Sequence, residues 1–225
     1  TRHYRVFSSA FSDVKAMVCF AVKSNSNLAV LKTLGALGAG ADAVSQGEIM
    51  RARKVGIPAR KIVFSGIGKT RTEMAYALKE GIFQFNVESL PELEALNEVA
   101  LSLGVCAPIA LRINPDIDAK THAKITTGTK ENKFGIDWTE AREVYRHAKL
   151  MKGIDVQGVS THIGSQLIDL IPFEKAFQKI SDLVEILRVD GHQIRVLDLG
   201  GGLGIPYDEE SPPPPGHYAE MAIRA

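Results

Sequence analysis

Val18-Cys19-Phe20-Ala21-Val22-Lys23-Ser24-Asn25 is a short run of β-branched and aromatic residues that stops on a cation followed by small polar residues. Such a run reads as a buried strand with a turn at its carboxyl end. Similar runs recur along the chain, near 42–45, 62–66, 83–87, 107–114, 155–163 and 195–200, which makes seven strands with helical patterns between them. That alternation is the mark of repeated βα units around a parallel sheet. The intervening helices carry their own start signals: Ser45 with Glu48, Thr70 with Glu73, Ser89 with Glu92 and Asp137 with Glu140 all have capping-box spacing. After Pro172, the residues Phe173, Phe177, Ile180, Val184 and Leu187 form one apolar stripe at helical spacing. Residues 115–136 and 206–216 break the rhythm and read as long loops, the second holding four consecutive prolines from Pro212.

Parity within the strands assigns their faces. Val18, Phe20 and Val22 share one face and Cys19, Ala21 and Lys23 the other; Ile109, Leu111 and Ile113 oppose Ala110, Arg112 and Asn114 in the same way. Gly158, Ser160 and His162 fall together, as do Val196 and Asp198. Each strand therefore has a greasy face suited to a ring of helices and another face that ends in a polar group. Closing the sheet would gather Lys23, Arg112, His162 and Asp198 at the carboxyl ends of the strands, where barrel enzymes place their chemistry. An open doubly wound sheet is the alternative architecture.

Composition excludes several classes. The chain has 225 residues, 45% of them hydrophobic, enough for one sizeable core, so a single domain over 1–225 is expected. Its 27 basic and 26 acidic residues nearly cancel, leaving no field to recruit nucleic acid or an acidic membrane surface. Cys19 and Cys106 lie far apart in apolar stretches, which favours a reducing compartment, the cytoplasm, over a disulfide scaffold. The most apolar stretch, Leu28 to Val44, is broken by Lys32, three glycines and Asp42 and does not read as a membrane span.

Two nucleotide-like signals fail on context. Ser65-Gly66-Ile67-Gly68-Lys69-Thr70 resembles a P-loop, but Val63 stands where the first glycine is required. Gly38 to Ala43 fits a loose dinucleotide fingerprint, yet it precedes a strand instead of following one. Three other motifs carry chemistry. Lys23 shares its face only with Cys19 and Ala21, so it reads as a poorly solvated amine able to form a Schiff base; the bland alternative is a snorkelling lysine at a strand end. His162-Ile163-Gly164-Ser165-Gln166 ends the sixth strand and is followed at once by small and hydroxyl residues that can receive an anion. Gly200, Gly201, Gly202 and Gly204 follow the seventh, where barrels commonly cradle phosphate.

These motifs, in this order and spacing, resemble the fold-type III pyridoxal-phosphate decarboxylases, an alanine-racemase-like barrel family, and the resemblance runs over essentially the whole chain. The run from Arg112-Ile-Asn-Pro115 through Ala119-Lys-Thr-His122 and Thr127-Gly128 to Lys133-Phe-Gly-Ile136 is similar to the diaminopimelate-specific branch. The resemblance implies a pyridoxal-phosphate-binding (β/α)8 TIM-like barrel, here without its eighth strand and without the family's C-terminal β domain. It implies that Lys23 bonds the cofactor, that His162 stacks on its ring, and that Ser165, Gly201 and Gly202 contact its phosphate. Asp42 and Arg112 match polar residues close to the ring and the lysine. Glu48 also matches a family position, but its capping role accounts for it. The implied reaction converts meso-diaminopimelate to L-lysine and carbon dioxide in a cytoplasmic homodimer. A sister decarboxylase of ornithine, arginine, lysine or carboxynorspermidine, or a non-catalytic pyridoxal-phosphate-binding regulator, is compatible with most of the same motifs.

Overall fold

The computed structural model describes residues 1–117 and 134–225, which fall into two compact units. The first comprises Thr1–Ile109 with Lys149–Asp155, and the second Ala110–Ala148 with Val156–Ala225.

In the first unit, strands β1 (Cys19–Ala21), β2 (Gly40–Ala43), β3 (Ile62–Phe64) and β4 (Gln84–Val87) are neighbours in chain order. All three pairings are parallel, with Ala21 opposite Asp42, Asp42 opposite Val63 and Val63 opposite Gln84. Helices α2 (Leu28–Ala36), α3 (Gln46–Lys54), α4 (Arg71–Glu80) and α5 (Leu90–Leu103) connect or follow these strands, and α1 (Arg2–Ser9) precedes them. The strands are built for burial, since every residue of β3 and β4 is buried. Gly40 is required for close strand approach, because a Cβ there would run into the Lys61 carbonyl and lie 2.7 Å from Cys19 Sγ. Helix α4 starts on a complete capping box: Thr70 Oγ1 accepts from the Glu73 amide at 3.3 Å and Glu73 Oε2 accepts from the Thr70 amide at 3.1 Å. It stops at Gly81, whose φ of 69° is a left-handed cap.

In the second unit, β5 (Ala107–Asn114, of which the first three residues belong to the first unit) lies between β6 (Ile136–Asp137) and β7 (Ile154–Ser160, of which the first two belong to the first unit), with β8 (Val196–Asp198) on the far side of β7. The β5–β6 and β7–β8 pairs are parallel. The stripe predicted after Pro172 becomes α7 (Ile171–Val189), and Phe173, Phe177, Ile180, Val184 and Leu187 are all buried on it. Helix α8 (Pro215–Arg224) docks there through Tyr218, whose ring meets Phe173 edge-on at 5.1 Å. Helix α6 is Ala141–Leu150; its Tyr145 donates to the Gly158 carbonyl at 2.8 Å, pinning the helix to β7.

The seven expected strands are all present, the second lying at Gly40–Ala43 instead of 42–45 and the sixth ending at Ser160 instead of 163, which puts His162 in the loop beyond the strand's parity. The structure corrects three other details. The first strand is shorter than 18–24: the backbone leaves extended geometry at Val22–Ser24, a turn of 3-10 helix, so strand parity does not extend to Lys23. The segment 115–136 is not wholly loop, because Ile136 and Asp137 pair beside Ile113 and Asn114. Asp137 and Glu140 form no capping box. Asp137 instead accepts from the Thr139 amide and hydroxyl at 2.8 and 2.6 Å, an Asx turn that satisfies the same carboxylate locally. The part of the 119–136 motif from Ala119 to Lys133 lies outside the described residues.

Candidate functional site

The expected site residues occupy strand ends or the loops directly after them. In the first unit, Lys23 sits in the turn that follows β1 and Asp42 lies within β2 opposite Ala21. Lys23 is exposed, which corrects the expectation of a poorly solvated amine: the strand ends two residues earlier, so its neighbours on the face do not enclose it. Its amine has no hydrogen bond or ion pair among the described residues, so it is sterically and chemically available.

Asp42 is half-buried, and its Oδ1 accepts from the Ser65 hydroxyl at 2.6 Å. Beside this pair lies a denser polar cluster. Lys69, with 1% of its side chain exposed, donates to the Gly66 and Asn86 carbonyls at 2.6 and 2.7 Å and pairs with Glu92 at 2.7 Å. Burial pushes the Glu92 carboxyl up, and the Lys69 ammonium opposes that shift. Glu88 accepts from the Gly66 amide at 3.0 Å. This arrangement explains why the P-loop-like segment is no nucleotide site: its lysine is consumed holding the turn in which it lies. Glu48 behaves as a capping residue, Oε2 accepting from the Val44 amide at 2.8 Å.

In the second unit, Arg112 projects from β5 with its guanidinium 5.2 Å from the centre of the Phe134 ring. His162 and Ser165 lie on the loop after β7, His162 half-buried and Ser165 exposed. That loop is stitched to the one after β8 by backbone bonds: the Leu167 amide donates to the Gly202 carbonyl and the Gly204 amide to the Leu167 carbonyl, both at 2.8 Å. Gln166, at a φ of 59°, adds a second clasp, donating to the Ile205 carbonyl and accepting from the Ile205 amide at 3.0 Å. Asp198 was expected among the gathered polar residues; its Oδ1 accepts from the Gly200 amide at 2.9 Å and its carbonyl from the Thr161 amide at 2.8 Å, so it holds the two loops in place.

The glycines in this loop are not interchangeable. A Cβ at Gly202, φ 112°, would overlap the Gly164 carbonyl, and one at Gly200, φ 68°, the Thr161 carbonyl. Gly201 meets nothing within 4 Å, and its amide donates to His162 Nδ1 at 3.3 Å. The backbone is thus pressed against the histidine loop on one side and bare on the other, while the Ser165 hydroxyl has no partner among the described residues. A bare glycine backbone, a hydroxyl without a partner and an imidazole held by a main-chain donor suit a phosphorylated aromatic group. Sequence reading missed Gln166 and Ser65 as structural parts of these clusters. Gln166 stood inside the histidine motif, whereas Ser65 carried no signal apart from the discarded P-loop.

Parallel strands with helical connections define the class, an α/β protein with polar groups at its strand ends. The whole chain, residues 1–225, matches the family described as "Pyridoxal-dependent decarboxylase, pyridoxal binding domain". The chain belongs to that family. It is 52% identical over 222 residues to diaminopimelate decarboxylase of Vibrio cholerae, covering 99% of this chain and 53% of the relative. It is 53% identical over 221 residues to diaminopimelate decarboxylase of Pseudomonas aeruginosa, covering 98% of this chain and 53% of the relative. Among solved structures, the diaminopimelate decarboxylase of Helicobacter pylori complexed with L-lysine superposes with a TM-score of 0.97 at 44% identity, over 99% of this chain and 57% of that one. The chain therefore spans about half the length of the curated relatives it matches. Its fold is the α/β barrel portion expected from the sequence.

Proposed function

We propose that this chain is the cofactor-binding barrel, a single domain over 1–225, of a pyridoxal-phosphate-dependent carboxy-lyase that converts meso-2,6-diaminopimelate to L-lysine and carbon dioxide. The observation that carries the reading is identity of about 50% to diaminopimelate decarboxylases along nearly the whole chain, with an unpartnered amine at Lys23. When bound, pyridoxal phosphate supplies the electron sink that accepts the charge left as the carboxylate departs.

The chain's own residues do the rest. Lys23 Nζ would hold the cofactor covalently, and its exposure leaves the amine accessible to it. His162 orients the ring: with Nδ1 accepting from the Gly201 amide, the imidazole is held in a fixed plane for stacking. Ser165 Oγ and the backbone of Gly201 and Gly202 receive the phosphate, Gly202 fitting only because it lacks a Cβ. Asp42 and Arg112 are assigned to the cofactor site as the polar residues that match family positions close to the ring. The protein acts in the cytoplasm as a homodimer on a small-molecule amino acid, and its near-neutral charge of +1 supports neither nucleic acid nor a membrane surface as partner. Among the described residues no helix is long and apolar enough to cross a membrane.

Borohydride reduction of the holoprotein followed by peptide mass spectrometry is expected to place a phosphopyridoxyl adduct on Lys23. An adduct on another lysine, with Lys23 unmodified, overturns the site. Release of carbon dioxide is expected to be far faster from meso-diaminopimelate than from ornithine, arginine or L-lysine, and preference for one of those three moves the enzyme to a sister activity.

A further inference from the structure

In the first unit, one line of hydrogen bonds crosses the ends of β4, β3 and β2. Gln84 Nε2 donates to Asn86 Oδ1 at 3.0 Å, Asn86 Nδ2 donates to Ser65 Oγ at 3.1 Å, and Ser65 Oγ donates to Asp42 Oδ1 at 2.6 Å. The strand register explains the alignment. Asp42, Val63 and Gln84 form one row of partners, and Ser65 and Asn86 stand two residues further along on the same face.

The direction of this line is forced by its end. A carboxylate has no proton, so the Ser65 hydroxyl must give its own; that leaves the Ser65 lone pairs to accept from the Asn86 amide. Asn86 must then turn its carbonyl toward Gln84, which can only answer with its amide nitrogen. Every donor points toward Asp42, so the bond dipoles add and each link strengthens the next. Gln84 and Asn86 are 1% and 4% exposed, and Gln84 Oε1 is buried without a hydrogen-bond partner among the described residues. An unsatisfied buried amide oxygen loses its hydration with nothing in return. Core packing alone would be served better by apolar side chains at both positions.

We propose that Ser65, Asn86 and Gln84 are positioning residues that act through Asp42, fixing the plane and rotamer of its carboxylate for contact with the bound cofactor. This rests on the reading that the chain binds pyridoxal phosphate close to Asp42. None of the three touches the cofactor or the reacting atoms; their effect passes through the 2.6 Å bond from Ser65.

The test titrates pyridoxal phosphate into the apoprotein, following the bound cofactor's absorption band, and measures thermal midpoints in parallel. Ser65→Ala is expected to weaken cofactor binding roughly tenfold and to shift the band, the effect of one lost hydrogen bond to a charged group. Ser65→Thr, which keeps the hydroxyl, should restore both. Asn86→Leu should weaken binding by a smaller factor, and the double variant should bind no worse than Ser65→Ala, because the two residues act in series. Additive losses, or a Ser65→Thr variant that behaves like Ser65→Ala, overturn the proposal. Asp42→Ala separates the two readings: lost affinity there with a wild-type Ser65→Ala overturns only the positioning chain. Wild-type affinity and spectrum in Asp42→Ala overturn the placement of the cofactor beside Asp42 and the chain with it. Should Ser65→Ala fail to fold, Asn86→Leu decides, weakened binding supporting the chain and unchanged binding overturning it.

Discussion

The strand ends of the first unit and the paired loops of the second are both polar, yet they are held together by different atoms. Around β2 to β4 the order comes from side chains: Asp42, Ser65, Lys69, Asn86 and Glu92 bond to one another or to nearby carbonyls, and most are buried. Between the loops after β7 and β8 it comes mainly from the backbone, with glycines at 200 and 202 allowing the chains to touch and the Gln166 amide closing the end. Rigidity in the first region therefore depends on which side chains are present, and in the second on which are missing. The Asp42 carboxylate is held by a side-chain donor, the Ser65 hydroxyl, whereas a phosphate is well met by a row of backbone amides with nothing in the way.

Breaking each region should reveal its own material. The largest effect is expected from Lys69→Met, which strands Glu92 as a buried charge, its side chain 8% exposed. Urea unfolding of the holoprotein should show a loss of about 3–5 kcal/mol. The double variant Lys69→Met/Glu92→Leu should recover part of that loss, since replacing a whole buried pair is often neutral; no recovery would show that Lys69 matters through its carbonyl contacts instead. In the loop region, Gly202→Ala should cost about 3 kcal/mol through a left-handed φ and overlap with the Gly164 carbonyl, and cofactor affinity should fall with it. Gly201→Ala, with open space around its Cβ, should stay within about 0.5–1 kcal/mol of wild type in the same unfolding assay. Equal losses at 201 and 202 would remove the distinction between the regions.

The smallest effect tests a cap in the first unit. Burial raises the Glu73 carboxyl, but amides of Gln46 and Thr70 and the Thr70 hydroxyl outweigh it and hold the group below its ordinary value. A lowered folded value means the stabilisation is complete above the unfolded carboxylate range and is lost as pH falls through the folded value. Glu73→Gln should therefore cost about 0.5–1 kcal/mol near neutrality, and less as the medium is acidified. Thermal melts from pH 7 down to 3 check this; a cost that grows on acidification contradicts it.

Much of this was legible beforehand. The β-rich runs, the capping pairs at Thr70 and Ser89, and the stripe from Phe173 to Leu187 depend on contacts within a few residues, so their period and spacing appear directly in the chain. Lys23 was placed at the right strand end but in the wrong surroundings. Burial depends on where the backbone turns, and no local residue in Ala21-Val22-Lys23 announces a 3-10 turn. The strand at Ile136–Asp137 was invisible for a similar reason: two residues have no period, and only the partner Ile113–Asn114 makes them a strand.

Element types, the order of the motifs and the residue chemistries on offer are written in the chain, because propensity, capping and face alternation are local. Tertiary structure alone decided how each chemistry is used. Lys69 and Lys23 are both lysines near strand ends, but one is enclosed by Glu92 and two carbonyls and the other has no partner among the described residues. Ser65 becomes a donor to Asp42 only because parallel register brings the ends of β2 and β3 side by side. Hydrogen bonds and desolvation act over a few ångströms of space, and residues 23 positions apart in the chain become neighbours only when the sheet forms.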